Sequence, residues 1–289
     1  MVAIDLGSNT IRFIEFDGLV WGKSFEKIVR TAEGLHETHL IGNKALDRII
    51  EAIDDAKNIF DFTQPIRAYT TAAMRLAYNS DEAIGLIARS TGIVFEIIDA
   101  EKEGLLTLEA VRNRLNVLGS VPSSFVLADI GGGSTELSRY TNAEIETVSL
   151  DFGIVTLSEA AENTLDEKIQ SFKHAVRGSI KNQTEPLVQT AGTPTTIAAY
   201  VNGMDYTTYN PQKINGYRLR LSDCYRVYDE LLRMDEAART RYVGIGRENL
   251  IIAGVLMVTA IYEAMECEEA IIIDDGLREG IALEYYKLH

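Results

Sequence analysis

The sequence has 289 residues, of which 46% are hydrophobic and 25% are charged, so it can form one large domain or two medium-sized ones. This composition excludes a disordered chain, a collagen and a disulfide-rich scaffold, and the two cysteines, Cys224 and Cys267, suit a reducing compartment. With 28 basic residues against 43 acidic ones, the formal net charge is −15, which argues against nucleic acid as a partner.

A membrane partner is not expected either. The most apolar run, 249–262, has about 14 residues, whereas a helix needs roughly 20 to cross a bilayer. The N-terminus, Met1–Asp5, leads directly into a strand-like pattern and lacks the basic and apolar regions of an export signal. We therefore expect a cytoplasmic protein that binds neither membranes nor nucleic acid.

The first hundred residues predict a three-stranded meander followed by helices. Its strands are expected at Val2–Asp5, Thr10–Phe16 and Leu19–Lys27. The dipeptide Asp17-Gly18 is a strong signal for the turn between the second and third strands. Helical stretches follow at Lys44–Asn58 and Ser80–Ser90, and Gly92 stands where the second of them should end.

A second copy of this pattern starts near the middle of the chain. Phe125–Leu137 again contains a short apolar strand that ends in Asp and is followed by a glycine turn. The tripeptide Asp5-Leu6-Gly7 recurs as Asp129-Ile130-Gly131, a spacing far longer than a solenoid period, and so indicates a duplicated domain. We predict the boundary at 118–123, just after the helical stretch Lys102–Val117, which gives domains 1–120 and 121–289.

The glycine-rich turn of the second copy predicts phosphate binding. The amides of Gly131–Gly133 can point toward one anion, and the hydroxyls of Ser134 and Thr135 add donors. Asp129 and Glu136 flank this turn and would repel a phosphate unless they hold a hard divalent cation through water. The alternative is a glycine-rich β-turn beside a solvated acid.

Two further loops follow the same logic. In the N-terminal hairpin, Asp5 precedes the possible donors Ser8–Thr10, although a simple tight turn explains the same residues. In 187–196 a strand runs into a helix whose first residues, Gly192 and Thr193, either attract an anion or simply cap the helix. Three such turns in one chain are harder to dismiss together than separately.

Taken in order, these stretches resemble the exopolyphosphatase / guanosine pentaphosphate phosphohydrolase family of the actin-like superfamily. The matching stretches are Asp5–Arg12, Thr70–Arg75, Asp129–Glu136, Ser149–Gly153, Ala191–Thr196, Arg247–Asn249 and Asp275–Gly280. Each is a weak pattern, whereas the ordered set is highly specific and covers nearly the whole chain. The resemblance implies an α/β fold of two duplicated actin-like (ribonuclease H-like) domains that bind phosphates in an interdomain cleft.

The resemblance also implies an activity and the residues behind it. The implied activity is that of a metal-dependent phosphohydrolase, which uses Mg²⁺ or Mn²⁺ and releases terminal phosphate from inorganic polyphosphate or guanosine pentaphosphate. The family's catalytic glutamate aligns with Glu103, with Glu101 as the reserve, whereas Lys102 and Leu105 replace a glutamate and a frequent arginine of the family. The residue inventory fits this activity, with Arg75 as a fixed cation and Asp5, Asp129 and Glu136 as candidate metal ligands. Arg247 either adds positive charge for phosphate binding or is a surface salt-bridge partner.

The local sequence agrees with a glutamate base in outline. A helix that starts at Asp99 or Ala100 has Glu101 and Glu103 in its first turn, where the helix dipole favours their ionised form. Bound phosphates would oppose that effect and raise the pKa of the carboxylate toward a useful value. Without the resemblance, acids that merely decorate a helix start would be the preferred interpretation.

Two other functions remain open at this stage. The first is an ATP-dependent kinase or ATPase on the same architecture. The second is a sensor that binds guanosine tetra- or pentaphosphate without turnover, which Lys102 and Leu105 make plausible. The net charge of −15 further predicts a preference for short polyphosphate chains over very long ones, and a homodimer is possible.

Overall fold

The structure is a computed structural model that describes residues 1–141, 144–158, 164–179 and 185–289. The chain divides into two units, unit 1 with residues 1–110 and 277–289, and unit 2 with residues 111–276. Each unit has one mixed β-sheet with helices packed against it. This division differs from the predicted domains 1–120 and 121–289, because the boundary falls inside a helix and the last helix belongs to unit 1.

The strands of unit 1 are β1 (Val2–Leu6), β2 (Thr10–Phe16), β3 (Trp21–Ile28), β4 (Ile66–Thr70) and β5 (Glu96–Ile97). They form one sheet in the order β3-β2-β1-β4-β5. The first three strands are antiparallel, as the meander prediction requires, and β1, β4 and β5 are parallel. The predicted turn is present, since Asp17 accepts hydrogen bonds from the amides of Leu19 and Val20 at 2.8 and 2.7 Å.

The helices of unit 1 are α1 (Leu35–Thr38), α2 (Asn43–Lys57), α3 (Ala72–Leu76), α4 (Ser80–Thr91) and α13 (Leu277–Leu288), together with the first part of α5 (Ala100–Val117), whose residues after 110 belong to unit 2. Helix α2 is amphipathic, with Leu46, Ile49 and Ile53 buried at helical spacing. Helix α4 ends as predicted at Gly92, whose positive φ of 82° suits glycine. Both predicted helices are therefore confirmed to within a residue or two.

Helix α13 explains why the last residues belong to unit 1. Its apolar side chains Leu277, Ile281 and Ala282 are buried in one cluster with Ala3 of β1 and Ile14 of β2. A helix buries its apolar stripe wherever a complementary sheet face is available, and this choice depends on tertiary packing rather than on chain order. The first sheet supplies that face.

The strands of unit 2 are β6 (Ser124–Ile130), β7 (Thr135–Thr141), β8 (Glu144–Leu150), β9 (Leu187–Thr190), β10 (Tyr217–Arg220) and β11 (Glu269–Ile272). The sheet order is β10-β11-β9-β6-β7-β8. Its helices are α6 (Ile154–Ser158), α7 (Leu165–Ser179), α8 (Gly192–Val201), α9 (Pro211–Ile214), α10 (Leu221–Arg233), α11 (Glu236–Val243) and α12 (Leu250–Ala264). Helix α12 is apolar on nearly every side because it is enclosed by α6, α7, α8 and α10 in the core of the unit.

The two sheets confirm the duplication inferred from the sequence. In unit 2, β8, β7 and β6 form an antiparallel meander, and β9 and β11 continue it in parallel, as β4 and β5 do in unit 1. Unit 2 adds β10 as an antiparallel edge strand. Asn142, which the sequence places in the turn between β7 and β8, lies outside the described residues. In the described part of the chain, no helix combines the length and the apolar character that a membrane span requires.

Candidate active site

Most of the predicted site residues lie near the carboxyl ends of the parallel strands, separately in each unit, whereas Arg247 lies in the turn before α12. In unit 1, β1 and β4 end side by side, and the Thr70 hydroxyl donates to the Leu6 carbonyl at 2.9 Å. In unit 2, Asp129 of β6 is paired in register with Thr190 of β9. This edge is where open α/β sheets bind ligands, because the loops and helix starts that follow the strands meet there.

In the hairpin between β1 and β2, the backbone carbonyls are hydrogen-bonded within the protein, whereas two backbone amides are left without an acceptor among the described residues. The Gly7 amide donates to the Thr10 carbonyl at 3.0 Å and closes the turn. The Ser8 carbonyl accepts from the Ala32 amide, and the Asn9 carbonyl accepts from the amides that follow β3. The amides of Ser8 and Asn9 themselves find no protein acceptor in the described part of the chain. They are therefore available to an anion.

The hairpin between β6 and β7 has the same construction. The Gly131 amide donates to the Ser134 carbonyl at 2.9 Å, and the carbonyls of Gly131 and Gly132 accept from the first amides of α6, at Ile154 and Val155. Gly153 lies so close that a Cβ on it would be 2.3 Å from the Gly132 carbonyl oxygen. The amides of Gly132 and Gly133 have no acceptor among the residues described.

Thr135, predicted to bind phosphate through its hydroxyl, uses that group inside the protein. It is fully buried, and its Oγ1 donates to the Phe152 carbonyl at 2.7 Å. This bond holds the chain that follows β8 against the hairpin, so Thr135 supports the turn rather than presenting a free donor.

Two carboxylates lie side by side next to the second hairpin. Asp129 on β6 and Glu136 on β7 are paired in register, which places their side chains on the same face of the sheet. Glu136 is buried, and one of its oxygens, Oε1, accepts from the hydroxyls of Ser134 at 2.7 Å and Ser149 at 2.9 Å. Two adjacent carboxylates with one fixed by hydroxyls fit a Mg²⁺ ion, which often takes only one or two protein carboxylates together with water and phosphate oxygens.

No larger metal cluster accompanies this pair. Among the described residues, no group of three or more His, Cys, Asp or Glu side chains is arranged to hold a metal. Asp5, the equivalent of Asp129 in unit 1, is paired in register with Arg12 rather than with a second acid. Because the residue across the ladder from it is a cation, which also pairs with Glu26 at 3.4 Å, Asp5 is a poorer candidate for a metal ligand than Asp129.

A partly buried ion pair occupies the edge of unit 1. Arg75 on α3 donates from Nη1 to Glu103 Oε2 at 2.6 Å and to the Ile98 carbonyl at 2.9 Å. Asp99 caps α5, because its side chain accepts from the Lys102 amide and its carbonyl accepts from the Glu103 amide. Glu103 is only 9% exposed, whereas Glu101 on the same turn is exposed. The geometry favours Glu103 over Glu101 as a group that works inside a site.

The third loop begins a helix as predicted. Ala191 has an unusual positive φ of 78° immediately before α8, and the Thr195 hydroxyl bonds back to its carbonyl at 2.9 Å. Gly192 and Thr193 form the first turn of α8, whose N-terminus attracts anions. Arg247 lies in the turn before α12, where its amide donates to the Gly244 carbonyl.

The two cysteines have no catalytic character. Burial raises the pKa of the Cys224 thiol to about 12 and that of the Cys267 thiol to about 11. Both are therefore protonated at neutral pH and are not nucleophiles. Cys224 is a buried residue of α10.

Several residues of these sites escape sequence reasoning. Ser149 belongs to a stretch that carries the family resemblance, yet only the fold shows that it holds Glu136. Gly153 is one residue of the same stretch, and its role as a close contact of the hairpin depends on α6. Lys102 and Glu284 approach within 3.5 Å in unit 1, a contact without any local signal in the sequence.

Comparisons with known proteins agree with this architecture. A sequence model described as the Ppx/GppA phosphatase family matches residues 23–289. Exopolyphosphatase 2 of Mycobacterium tuberculosis is 26% identical over 316 aligned positions that cover 98% of this chain and 97% of that protein.

Solved structures are similar over the same extent. The crystal structure of the Aquifex aeolicus member of the Ppx/GppA family has a TM-score of 0.79 at 26% identity, and the alignment covers 99% of this chain and 97% of the Aquifex chain. The crystal structure of an exopolyphosphatase-like protein has a TM-score of 0.86 at 24% identity, and the alignment covers 99% of this chain and 98% of the other chain. This similarity concerns the fold alone. The two-domain actin-like fold expected from the sequence is thereby confirmed.

Proposed function

The chain belongs to the Ppx/GppA phosphatase family, and from this premise we propose that it releases terminal phosphate from inorganic polyphosphate in a Mg²⁺- or Mn²⁺-dependent hydrolysis. The substrate is suggested by the relative named exopolyphosphatase, which is aligned over nearly its whole length. The observation that carries the proposal is the partly buried ion pair of Arg75 and Glu103. Hydrolysis of a phosphoanhydride needs a fixed cation and a group that orients or deprotonates water, and this pair supplies both.

Glu103 acts on the water in this proposal. Before substrate binds, Arg75 holds the carboxylate of Glu103 at 2.6 Å. An incoming phosphate competes for the guanidinium and adds negative charge nearby. Both effects raise the proton affinity of Glu103, so that the carboxylate becomes a useful base when substrate is bound.

In this proposal the two hairpins and the paired acids Asp129 and Glu136 offset the negative charge of the phosphates. The free amides of Gly132 and Gly133, and those of Ser8 and Asn9, donate to phosphate oxygens. Asp129 and Glu136 hold the metal ion, which when bound neutralises phosphate charge. The N-terminus of α8, at Gly192 and Thr193, and the guanidinium of Arg247 add positive potential within unit 2.

A phosphate-release assay on purified protein with Mg²⁺ tests the proposal. We expect hydrolysis of polyphosphate without any acceptor, with short chains cleaved faster than very long ones because of the net charge of −15. Guanosine pentaphosphate is measured in parallel as the second substrate that the family resemblance suggests. Activity that requires an alcohol or ADP as acceptor, or tight nucleotide binding without turnover, would contradict the proposal.

The sharpest variant is Glu103→Gln, with Glu101→Gln as its comparison on the same helical turn. Glu103→Gln removes the base but keeps the shape, so kcat should fall about 10²–10⁴-fold with little change in KM. Glu101 is exposed and should tolerate the same substitution. The assignment is wrong if Glu101→Gln abolishes turnover and Glu103→Gln does not.

A further inference from the structure

Lys102, the neighbour of Glu103, lies inside a compact polar cluster of unit 1. Its Nζ donates to the Tyr69 hydroxyl at 3.0 Å and lies 3.5 Å from Glu284 of α13 and 3.7 Å from Glu96. The Tyr69 hydroxyl in turn donates to Glu284 at 2.7 Å. One hydroxyl thus bridges a cation on α5 and a carboxylate on α13, accepting from the first and donating to the second.

The ionisation of the cluster supports this pattern. Burial opposes the charge on Lys102, but the hydrogen bond to Tyr69 and the negative charges of Glu284 and Glu96 outweigh it and raise the pKa of the ammonium group. Burial is also the main cause of the raised pKa of Tyr69. At neutral pH the lysine is therefore charged and the tyrosine neutral, as the bridge requires.

Helix α13 contacts the same face of α5 at two further positions. Gly280 lies so close to α5 that a Cβ on it would be 2.2 Å from the Leu106 carbonyl oxygen, and Lys287 forms an ion pair with Glu109. Positions 102, 106 and 109 follow each other at helical spacing on one face of α5. Helix α13 therefore holds the first turns of α5 over about two turns of helix.

Successive residues of a helix point about 100° apart, so a contact at 102 leaves 103 directed toward a different neighbour. Lys102 is held by Tyr69 and Glu284, and Glu103 contacts Arg75. Fixing the first side chain fixes the rotation of the turn and hence the direction of the second. The backbone of this turn is held by the Asp99 cap, and the contacts of the Lys102 side chain add a second, outside hold on the same turn.

We propose that Lys102 is a positioning residue, which with Tyr69 and Glu284 clamps the first turn of α5 and keeps Glu103 on Arg75. The inference rests on the proposed function, because it takes Glu103 as the group that acts on water. Lys102 replaces a glutamate of the family, and a glutamate here would face the carboxylates of Glu284 and Glu96. The clamp is therefore a property of this chain's own pair of residues, lysine at 102 and glutamate at 284.

The test compares Lys102→Met, which keeps the alkyl chain, with Lys44→Met, which alters an exposed lysine on α2. For Lys102→Met we expect kcat to fall about tenfold with KM within about twofold, the effect of losing one charge-assisted hydrogen bond that orients the base. Lys44→Met should match the unmodified protein. Unchanged kcat in Lys102→Met would overturn the clamp while leaving the proposed function intact.

A charge exchange separates positioning from general damage. Lys102→Glu alone places like charges together and should reduce kcat more than Lys102→Met does. Adding Glu284→Lys restores an opposite-charge pair, and the Tyr69 hydroxyl can then accept from position 284 and donate to position 102. We expect the double variant to recover most of the lost kcat. A double variant as impaired as Lys102→Glu would overturn the inference.

Hydrogen exchange gives a readout that does not depend on activity. In Lys102→Met the amides of 103–106 should exchange about tenfold faster, whereas those of α2 should not change. If no polyphosphate is hydrolysed by the unmodified protein, the proposed function fails, but this measurement still decides the clamp. Unchanged protection of 103–106 would show that Lys102 does not hold the turn.

Discussion

The hairpin of unit 1 at Gly7–Thr10 and the hairpin of unit 2 at Gly131–Ser134 share a backbone but differ in chemistry. In both, the first glycine amide donates to the carbonyl of the fourth residue, at 3.0 Å in the former and 2.9 Å in the latter. In both, neighbouring segments occupy the hairpin carbonyls and leave two amides without an acceptor among the described residues. Duplication has therefore preserved the backbone geometry that we propose binds phosphate.

The two hairpins differ in the residue that is paired, on the adjacent strand, with the aspartate preceding the hairpin. Asp5 is paired in register with Arg12, whereas Asp129 is paired with Glu136. The first carboxylate faces a cation of the protein, and the second faces another carboxylate. Two adjacent carboxylates repel each other less when a cation binds between them, which supports our proposal that the metal ion binds in unit 2.

The largest expected effect tests this asymmetry directly. Asp129→Asn keeps the shape of the side chain but removes one of two adjacent charges, so kcat should fall about 10²–10³-fold and half-saturation by Mg²⁺ should rise. The matched variant Asp5→Asn should leave half-saturation by Mg²⁺ unchanged, whatever it does to kcat. Titration of both variants with Mg²⁺ at saturating substrate decides the point. An equal increase in Mg²⁺ requirement would show that both aspartates bind metal.

The next effect concerns how the second hairpin is held. Gly153→Ala would place a Cβ within 2.3 Å of the Gly132 carbonyl oxygen, which is backbone and cannot rotate away. The hairpin must shift, so we expect kcat/KM to fall at least about tenfold and stability to drop by about 1–3 kcal/mol.

Gly178→Ala is the control for that experiment. Gly178 is exposed in α7, and nothing lies within 4 Å of a Cβ built there, so the change should stabilise the helix by roughly 0.5–1 kcal/mol. Both variants are compared by urea unfolding and by phosphate release. Full activity in Gly153→Ala would mean that the hairpin tolerates displacement and that its amides do not need their present position.

The sequence predicts much of this because local patterns determine it. Alternating apolar residues and the Asp17-Gly18 turn are enough for the first meander, and Gly92 marks the end of α4. The recurrence of the Asp-x-Gly pattern is likewise enough to predict the second sheet. In each case the residues that carry the signal are neighbours in the chain.

The remaining features depend on contacts between distant residues. Tyr69 and Glu284 are 215 positions apart, and no local pattern announces their hydrogen bond. The choice between Glu101 and Glu103 depends on the rotation of α5 relative to Arg75, which tertiary packing sets. The placement of α13 in unit 1 has the same origin, because its apolar stripe does not specify which sheet it will cover.

The smallest expected effect distinguishes the two hydroxyls that hold Glu136. Ser134 lies in the hairpin and Ser149 on β8, and both donate to the same oxygen at 2.7 and 2.9 Å. Replacing either by alanine removes one hydrogen bond to a carboxylate, worth about 1.5 kcal/mol at the low end, so half-saturation by Mg²⁺ should rise about tenfold.

The double variant Ser134→Ala/Ser149→Ala separates support of the carboxylate from support of the hairpin. Glu136 is only 2% exposed, so loss of both donors deprives one of its buried oxygens of both hydroxyl partners, and the Mg²⁺ requirement should increase by more than the product of the single effects. If Ser134 instead acts by shaping the hairpin, its single variant will raise KM for polyphosphate at saturating Mg²⁺, and Ser149→Ala will not. If the two single variants have equal KM values and the same increase in Mg²⁺ requirement, both hydroxyls act by holding Glu136. The two hairpins would then differ only in the carboxylates beside them.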